Sequence, residues 1–177
     1  MSLLIDCPES AWLEQVDEEG WKGLLVPAAV ETFRQTAWNH DAVLSCLLTN
    51  DETIRELNAT YRKKDKATNV LSFPLLEFSQ PLLPKEAGFE YNQLGDVVLA
   101  FETVRRESLE LGLSIQDHSV HLFVHSVLHL LGYDHEEEAE ACVMENLESS
   151  ILVALGRRDP YARERRIEAR AGEQDHI

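Results

Sequence analysis

Three histidines in one short stretch, His125, His129 and His135, carry the most distinctive chemistry this sequence offers. His125 and His129 are four residues apart. On an α-helix that spacing places them on one face, about 40° apart around the axis at 3.6 residues per turn. Gly132 follows and can close the helix, because glycine takes a left-handed conformation at little cost. The chain then turns back and can deliver the imidazole of His135 to the same point. Three neutral imidazoles leave a tetrahedral Zn²⁺ with one open position, the arrangement of a catalytic site and not of a closed structural one.

The spacing matches the metzincin protease pattern H-E-x-x-H-x-x-G-x-x-H. One position departs from it: Ser126 stands where those proteases carry a glutamate general base. A seryl hydroxyl cannot take and hold a proton from water near neutral pH. The metal ligands therefore read as present and the peptidase machinery as absent. The plain structural alternative is a polar seam on a core helix. His121 lies on the same helix face as His125 and His129, but it sits roughly 12 Å from His129 along a straight helix axis. One ion with ligands at about 2 Å cannot take both, so His135 is the better third ligand. His118, His40 and His176 read as surface or cap histidines.

The rest of the composition bounds the partners. The chain has 177 residues, 44% of them hydrophobic, and a net charge of −16. That length suits one domain with a real core. Such an acidic chain is ill suited to nonspecific binding of a polyanion, which needs many cation–phosphate contacts. Any action on nucleic acid must use a local positive site. No apolar window is long enough to span a membrane, and Met1 to Asp6 lacks the look of a signal peptide. Cys7, Cys46 and Cys142 form no C-x-x-C pair and read as reduced, buried thiols of a cytoplasmic protein.

The elements that must position the histidines follow from periodicity. Residues 2–7 read as a strand and Asp17 to Gly20 as a polar turn. Val26 to Trp38 reads as a helix with Pro27 in its first turn. Ala42 to Thr49 is a strand, and Asn50 or Asp51 caps a helix with Ile54, Leu57 and Tyr61 on one face. Val70 to Phe73 is a strand ended by Pro74, residues 77–93 are a long loop, and Leu94 to Ala100 is a fourth strand. Helices are expected at about 102–111, 116–131 and 136–155. The fold class is α/β (α+β), with a single small mixed four-stranded sheet packed with helices. The third and fourth strands, with no helix between them, are expected to be antiparallel neighbours. The metal-bearing helix ends at Gly132. Residues 1–156 read as a single domain. Residues 157–177 are a polar Arg/Glu-rich tail that is either frayed or a basic arm touching RNA or a partner, since residues 157–170 hold six Arg against three acidic groups.

A second constellation lies between the second helix and the third strand, where Arg62, Lys63, Lys64 and Lys66 form the strongest basic cluster in the chain. Cations also suit a helix C-terminus for its dipole alone. Beside a zinc site, the planar fork of Arg62 could clamp a phosphate. Three segments of the sequence are similar to the YbeY family of bacterial endoribonucleases: L-N-x-x-Y-R-x-x-D-x-x-T-N-V-L-S-F-P at 57–74, L-G-D-V-V-L-A at 94–100, and H-S-V-L-H-L-L-G-Y-D-H at 125–135. The resemblance implies metal-dependent cleavage of single-stranded RNA, maturation of ribosomal RNA (notably the 16S 3′ end), ribosome assembly and ribosome quality control. It implies one Zn²⁺ per chain on His125, His129 and His135, and Arg62 as the functional arginine. Lys63 and Lys66 are expected to join Arg62 in binding substrate, and ribosomal RNA, the small subunit or assembly factors to be the partners. Position 126 is usually Gly in the family and is Ser here.

The general base is not assigned by these motifs. Asp134 and Asp96 are candidate helpers, a carboxylate beside a metal-binding histidine can equally be an orienter, and a 2′-hydroxyl of the RNA could serve as nucleophile. Two competing readings stand beside the nuclease: a non-catalytic ribosome-assembly factor with a structural zinc, and a metzincin-like zinc peptidase.

Overall fold

The computed structural model describes residues 1–80, 83–84 and 93–162. In chain order the elements are β1 (Ser2–Asp6), α1 (Ser10–Leu13), α2 (Glu18–Gln35), β2 (Val43–Thr49), α3 (Asp51–Arg62), β3 (Val70–Pro74), β4 (Phe78–Gln80), β5 (Leu83–Pro84), β6 (Gln93–Ala100), α4 (Phe101–Leu111), α5 (Ile115–Leu130) and α6 (Glu138–Ala154). Four strands make a mixed sheet in the order β1-β2-β6-β3. β1, β2 and β6 run parallel, and β3 pairs antiparallel with β6 from Val70↔Leu99 to Pro74↔Gly95. The expected antiparallel neighbours are therefore present, and the fold is α/β with a mixed sheet. No helix among the described residues is long and apolar enough to cross a membrane.

Alternation along the strands sorts the two faces. Leu44, Cys46 and Leu48 of β2 and Val97 and Leu99 of β6 join the main core with Trp12, Trp21, Leu25, Phe123 and Leu128. Trp12 and Trp21 meet edge to face at 5.3 Å, and the indole N–H of Trp12 donates to the Thr49 carbonyl at 2.8 Å. On the opposite face α3 covers a smaller cluster of Ile54, Leu71, Val98 and Ala100. α5 is buried on most sides, and its buried residues include His118, Ser119 and Ser126 beside the apolar ones. It packs against α2, α4, α6, β3 and β6.

Several expectations are corrected. α2 begins at Glu18, with Asp17 as its N-cap accepting from the Gly20 N–H at 2.8 Å, so Asp17 to Gly20 is a helix start and not a turn. Pro27 lies inside α2, not in its first turn. Burial of Trp21 and Leu25 stabilises the first turns enough to carry the helix through the missing N–H. The short α1 was not expected. The loop at 77–93 holds a small antiparallel ribbon of β4 and β5; residues 81–82 and 85–92 lie outside the described residues. All three cysteines are free, but only Cys46 is buried; Cys142 is exposed.

Gly95 lets α5, the helix of His125 and His129, approach the sheet. It has φ +149°, and a Cβ there would lie 2.3 Å from the Phe73 carbonyl oxygen and 2.9 Å from Leu130 Cδ2, at the end of α5. The backbone carbonyl cannot move without breaking the β3–β6 pairing. Gly95→Ala should therefore lower stability by about 3 kcal/mol, from strain and overpacking together. A urea-unfolding midpoint that does not move would show that α5 and the sheet edge are not tightly seated there.

Candidate metal centre

α5 starts at Ser114, whose hydroxyl accepts from the Asp117 N–H at 3.0 Å. It ends in a Schellman turn: Gly132 N–H donates to the His129 carbonyl at 3.0 Å and Tyr133 N–H to the Leu128 carbonyl at 3.1 Å. Gly132 adopts φ +88°, and a Cβ there would collide with Phe78 at 2.7 Å. This turn brings His135 back over the helix. The rings of His125 and His129 are 4.6 Å apart, those of His129 and His135 5.0 Å, and those of His125 and His135 5.5 Å. One nitrogen from each of the three lies within 4.8 Å of the others. Nitrogens on a tetrahedral ion with bonds of about 2.0–2.1 Å are about 3.3 Å apart, so small side-chain adjustments complete such a site.

The hydrogen bonds give an independent test of fit. His125 Nδ1 lies 2.7 Å from Glu148 Oε1, and His129 Nδ1 lies 2.9 Å from the Tyr133 carbonyl oxygen. Both partners can only accept, so both Nδ1 atoms carry hydrogen. In the neutral rings each Nε2 is then a bare lone pair, and the two Nε2 atoms face each other at 3.1 Å. Two converging lone pairs repel unless a cation lies between them, so the donor set fits a metal ion. Burial, reinforced by the neighbouring His125, holds the His129 pKa down to about 4, which leaves that ring neutral at pH 7.

Glu148, which the motifs did not single out, underlies the site. It is 1% exposed and accepts from His125 Nδ1, from His121 Nε2 at 2.7 Å and from the Tyr161 hydroxyl at 2.6 Å. Burial raises its pKa, but the hydrogen bonds from His121 and His125 and their electrostatic attraction together bring it down to about 2. The signal in the sequence was a glutamate in phase with the apolar face of α6, with Met144, Ile151 and Leu152.

The other candidate residues are distributed as follows. Arg62 ends α3, is exposed, and shares with His129 and His135 a cleft of about 640 Å³ that also holds Lys64, Tyr133 and Asp134. Its guanidinium reaches the Ser72 carbonyl at 3.4 Å. Lys63 takes a left-handed conformation as the α3 C-cap and its ammonium donates to the Thr60 carbonyl at 3.0 Å. The Lys66 carbonyl accepts from Asn58 at 2.8 Å. Neither Lys63 nor Lys66 lines the cleft; Lys64 does. Asp134 accepts from the His135 N–H at 2.7 Å. Asp96 accepts from the Ser45 hydroxyl and lines a separate groove with Leu4, Leu47 and Phe73, away from the histidines. Ser126 is fully buried. His121 stands outside the three-histidine group, as its distance along the helix requires. His40 is exposed, and His176 lies outside the described residues.

His118 is a correction: it is 4% exposed, not a surface or cap residue, and its Nε2 lies 2.8 Å from Glu107. Its Nδ1 is buried and has no hydrogen-bond partner among the described residues, so a second proton would put a donor where none of them accepts it. The tail expected from residue 157 also makes contacts in its described part: Arg157 pairs with Asp117, and Asp159 accepts from the Ser149 hydroxyl at 2.8 Å. Residues 163–177 lie outside the described residues.

Fold and site together define a class: a small mixed-sheet α/β protein with three imidazoles placed where they could hold a metal ion, at the end of its buried helix α5. Residues 8–156 match the family described as Endoribonuclease YbeY. Proteins named Endoribonuclease YbeY from Agrobacterium fabrum and Rhodospirillum rubrum are 57% identical over 119 residues and 54% over 132 residues. Those matches cover 67% and 75% of this chain and 67% and 62% of the relatives. A relative of the same name from a Bradyrhizobium species is 45% identical over 89% of this chain and 90% of its own. The solution structure of TM1509 from Thermotoga maritima shares the fold, with TM-score 0.53 and 20% identity over 89% of this chain and 97% of that one. The chain belongs to the YbeY family.

Burial, opposed by the Glu107 hydrogen bond, lowers the His118 pKa below its ordinary value of 6.5. The unfolded chain then binds the proton first as pH falls. The stability that neutral His118 contributes is fully present above the ordinary value and is lost as pH drops from there toward the lowered one. His118→Gln, which keeps a donor toward Glu107 and cannot titrate, should lose less stability than the wild type between pH 7 and pH 5. Parallel losses in urea titrations at the two pH values would contradict this.

Proposed function

We propose that this chain is a zinc-dependent endoribonuclease that cuts single-stranded RNA. Its work would be ribosomal RNA maturation at the 16S 3′ end, together with ribosome assembly and quality control, in the cytoplasm. The observation that carries the reading is the meeting of three imidazoles, two of which, His129 and His135, share a cleft with Arg62, in a chain of the YbeY family.

His125, His129 and His135 would hold the zinc, one ion per chain, and the burial that keeps His129 neutral suits that task. When bound, zinc supplies Lewis acidity toward a phosphoryl oxygen and lowers the pKa of water to about 7. Arg62 sits on a helix end whose left-handed cap at Lys63 directs the chain into the cleft. Its planar fork can bind two oxygens of one phosphate and stabilise charge that develops there. Lys64 adds a second cation at the same cleft. Arg62 and Lys64 are the cations this acidic chain would offer to the RNA backbone there, in a cleft whose lining also holds Glu77, Asp134 and Glu136. Asp134 is oriented by the His135 N–H and stands at the cleft, whereas Asp96 lines a separate groove.

The peptidase reading loses ground twice. Ser126 is the wrong residue for a general base, and it is fully buried. The assembly-factor reading, with structural zinc and ribosomal RNA or small-subunit partners, is separated by one experiment. RNA incubated with the protein, with and without chelator, should yield metal-dependent new ends; RNA bound but never cut would favour the factor.

The purified protein should carry about one divalent ion, best suited to zinc. His129→Ala should lose most of that metal, while His121→Ala keeps it; equal loss by elemental analysis would overturn the ligand assignment. Arg62→Ala should retain metal and fold yet lose about 100-fold or more in cleavage rate. Arg62→Lys should rescue poorly, because a point charge lacks the fork. Full activity in Arg62→Ala would remove that residue from the mechanism.

A further inference from the structure

We propose that Glu148 is a positioning residue for the metal centre, that it selects the Nδ1–H tautomer of His125, and that the turn after α6 holds it in place through Tyr161. The proposal rests on the metal-binding reading above. Glu148 comes from α6, a different element from the one that carries His125. Its Oε1 faces His125 Nδ1 at 2.7 Å, and its Oε2 receives both His121 Nε2 at 2.7 Å and the Tyr161 hydroxyl at 2.6 Å.

A carboxylate only accepts, so it dictates the tautomer of each ring that touches it. For His125 that tautomer leaves Nε2 bare and aimed at His129 Nε2. A free neutral imidazole does not favour this tautomer, so something must impose it. Among the described residues, Glu148, 1% exposed, has His121 and His125 as its ion-pair partners. A buried carboxylate is costly without partners, and here its donors are a ligand histidine, a histidine outside the ligand set and a tyrosine.

Tyr161 lies beyond residue 156, where the family match ends. It is fixed by the same turn in which Arg157 pairs with Asp117 of α5, and Asp159 accepts from Ser149 of α6 and from the Tyr161 N–H. The turn thus ties the ends of α5 and α6 together around the carboxylate. His121 has a role without being a ligand: its hydrogen bond holds the second oxygen so that the first stays aligned on His125.

The test uses the full chain in metal-free and zinc-loaded forms. Nitrogen NMR of the metal-free wild type should find His125 as the Nδ1–H tautomer. Glu148→Leu should release that preference and weaken zinc binding by about 10–100-fold in chelator competition, the usual cost of removing a partner of a ligand histidine. Glu148→Gln can turn its carbonyl to His125 and its amide to His121. It should therefore keep the His125 tautomer and most of the affinity, while the His121 tautomer inverts. Loss of packing alone would not invert a tautomer. Unchanged zinc affinity in folded Glu148→Leu, or an Nε2–H tautomer at His125 in the wild type, would overturn the proposal. If Glu148→Leu does not fold, an uninverted His121 in Glu148→Gln overturns it instead. Failure of the metal reading itself is recognised separately, as a wild type that binds no zinc while its His125 tautomer is still as expected.

Discussion

Burial of α5 is the constraint on which the site depends. A helix that packs against α2, α4 and α6 as well as β3 and β6 cannot rotate or slide without losing core contacts on every side. Each fully buried Leu, Val or Phe on it contributes about 1.5–3 kcal/mol relative to exposure. His125 and His129 inherit that rigidity, since their Cα positions belong to the packed helix. One side of α5 opens toward its end: His125 and His129 are only partly buried, while Val127, Leu128 and Leu130 beside them are fully buried, and His135 beyond the Schellman turn is exposed. A rigid base with one open side is what a site for a ligand exchanging with solvent requires.

Gly95 and Gly132 are the two places where backbone geometry makes this arrangement fit. Gly95 allows the end of α5 to press against the edge of β6, and Gly132 turns the chain so that His135 returns and the Tyr133 carbonyl meets His129. The same turn thus delivers one imidazole and sets the tautomer of another. The charge of the cleft is mixed. The chain carries −16 overall, and the cleft sets Arg62 and Lys64 near His129 and His135 together with Glu77, Asp134 and Glu136.

Much of the frame was legible because it is local. The strands at β1, β2, β3 and β6 follow from apolar runs ended by polar or proline residues, and their mixed pairing from the missing helix between β3 and β6. α2 was read short because Pro27 outweighed the capping signal at Asp17, whereas the buried Trp21 and Leu25 carry the helix through it. The β4–β5 ribbon was read as loop because strands of three and two residues carry almost no periodicity. Histidine 118 looked like a surface residue because nothing near it in sequence reveals Glu107, eleven positions away and on another helix.

What the sequence determined by itself was the local geometry of donors: two imidazoles one turn apart, a glycine able to reverse the chain, and a third imidazole within reach. Those depend on helix pitch and on the conformational range of glycine, and both act over a few residues. The basic cluster at 62–66 was equally visible, but its division was not. Lys63 is spent on its own helix end while Arg62 and Lys64 face the cleft. Only the tertiary structure decided that Arg62 meets the histidines, that Asp96 does not, and that Glu148, 23 positions from His125, lies beneath it. These outcomes depend on how helices and sheet pack, since side chains that share no element are brought together by the burial of others, and sequence spacing carries no record of that.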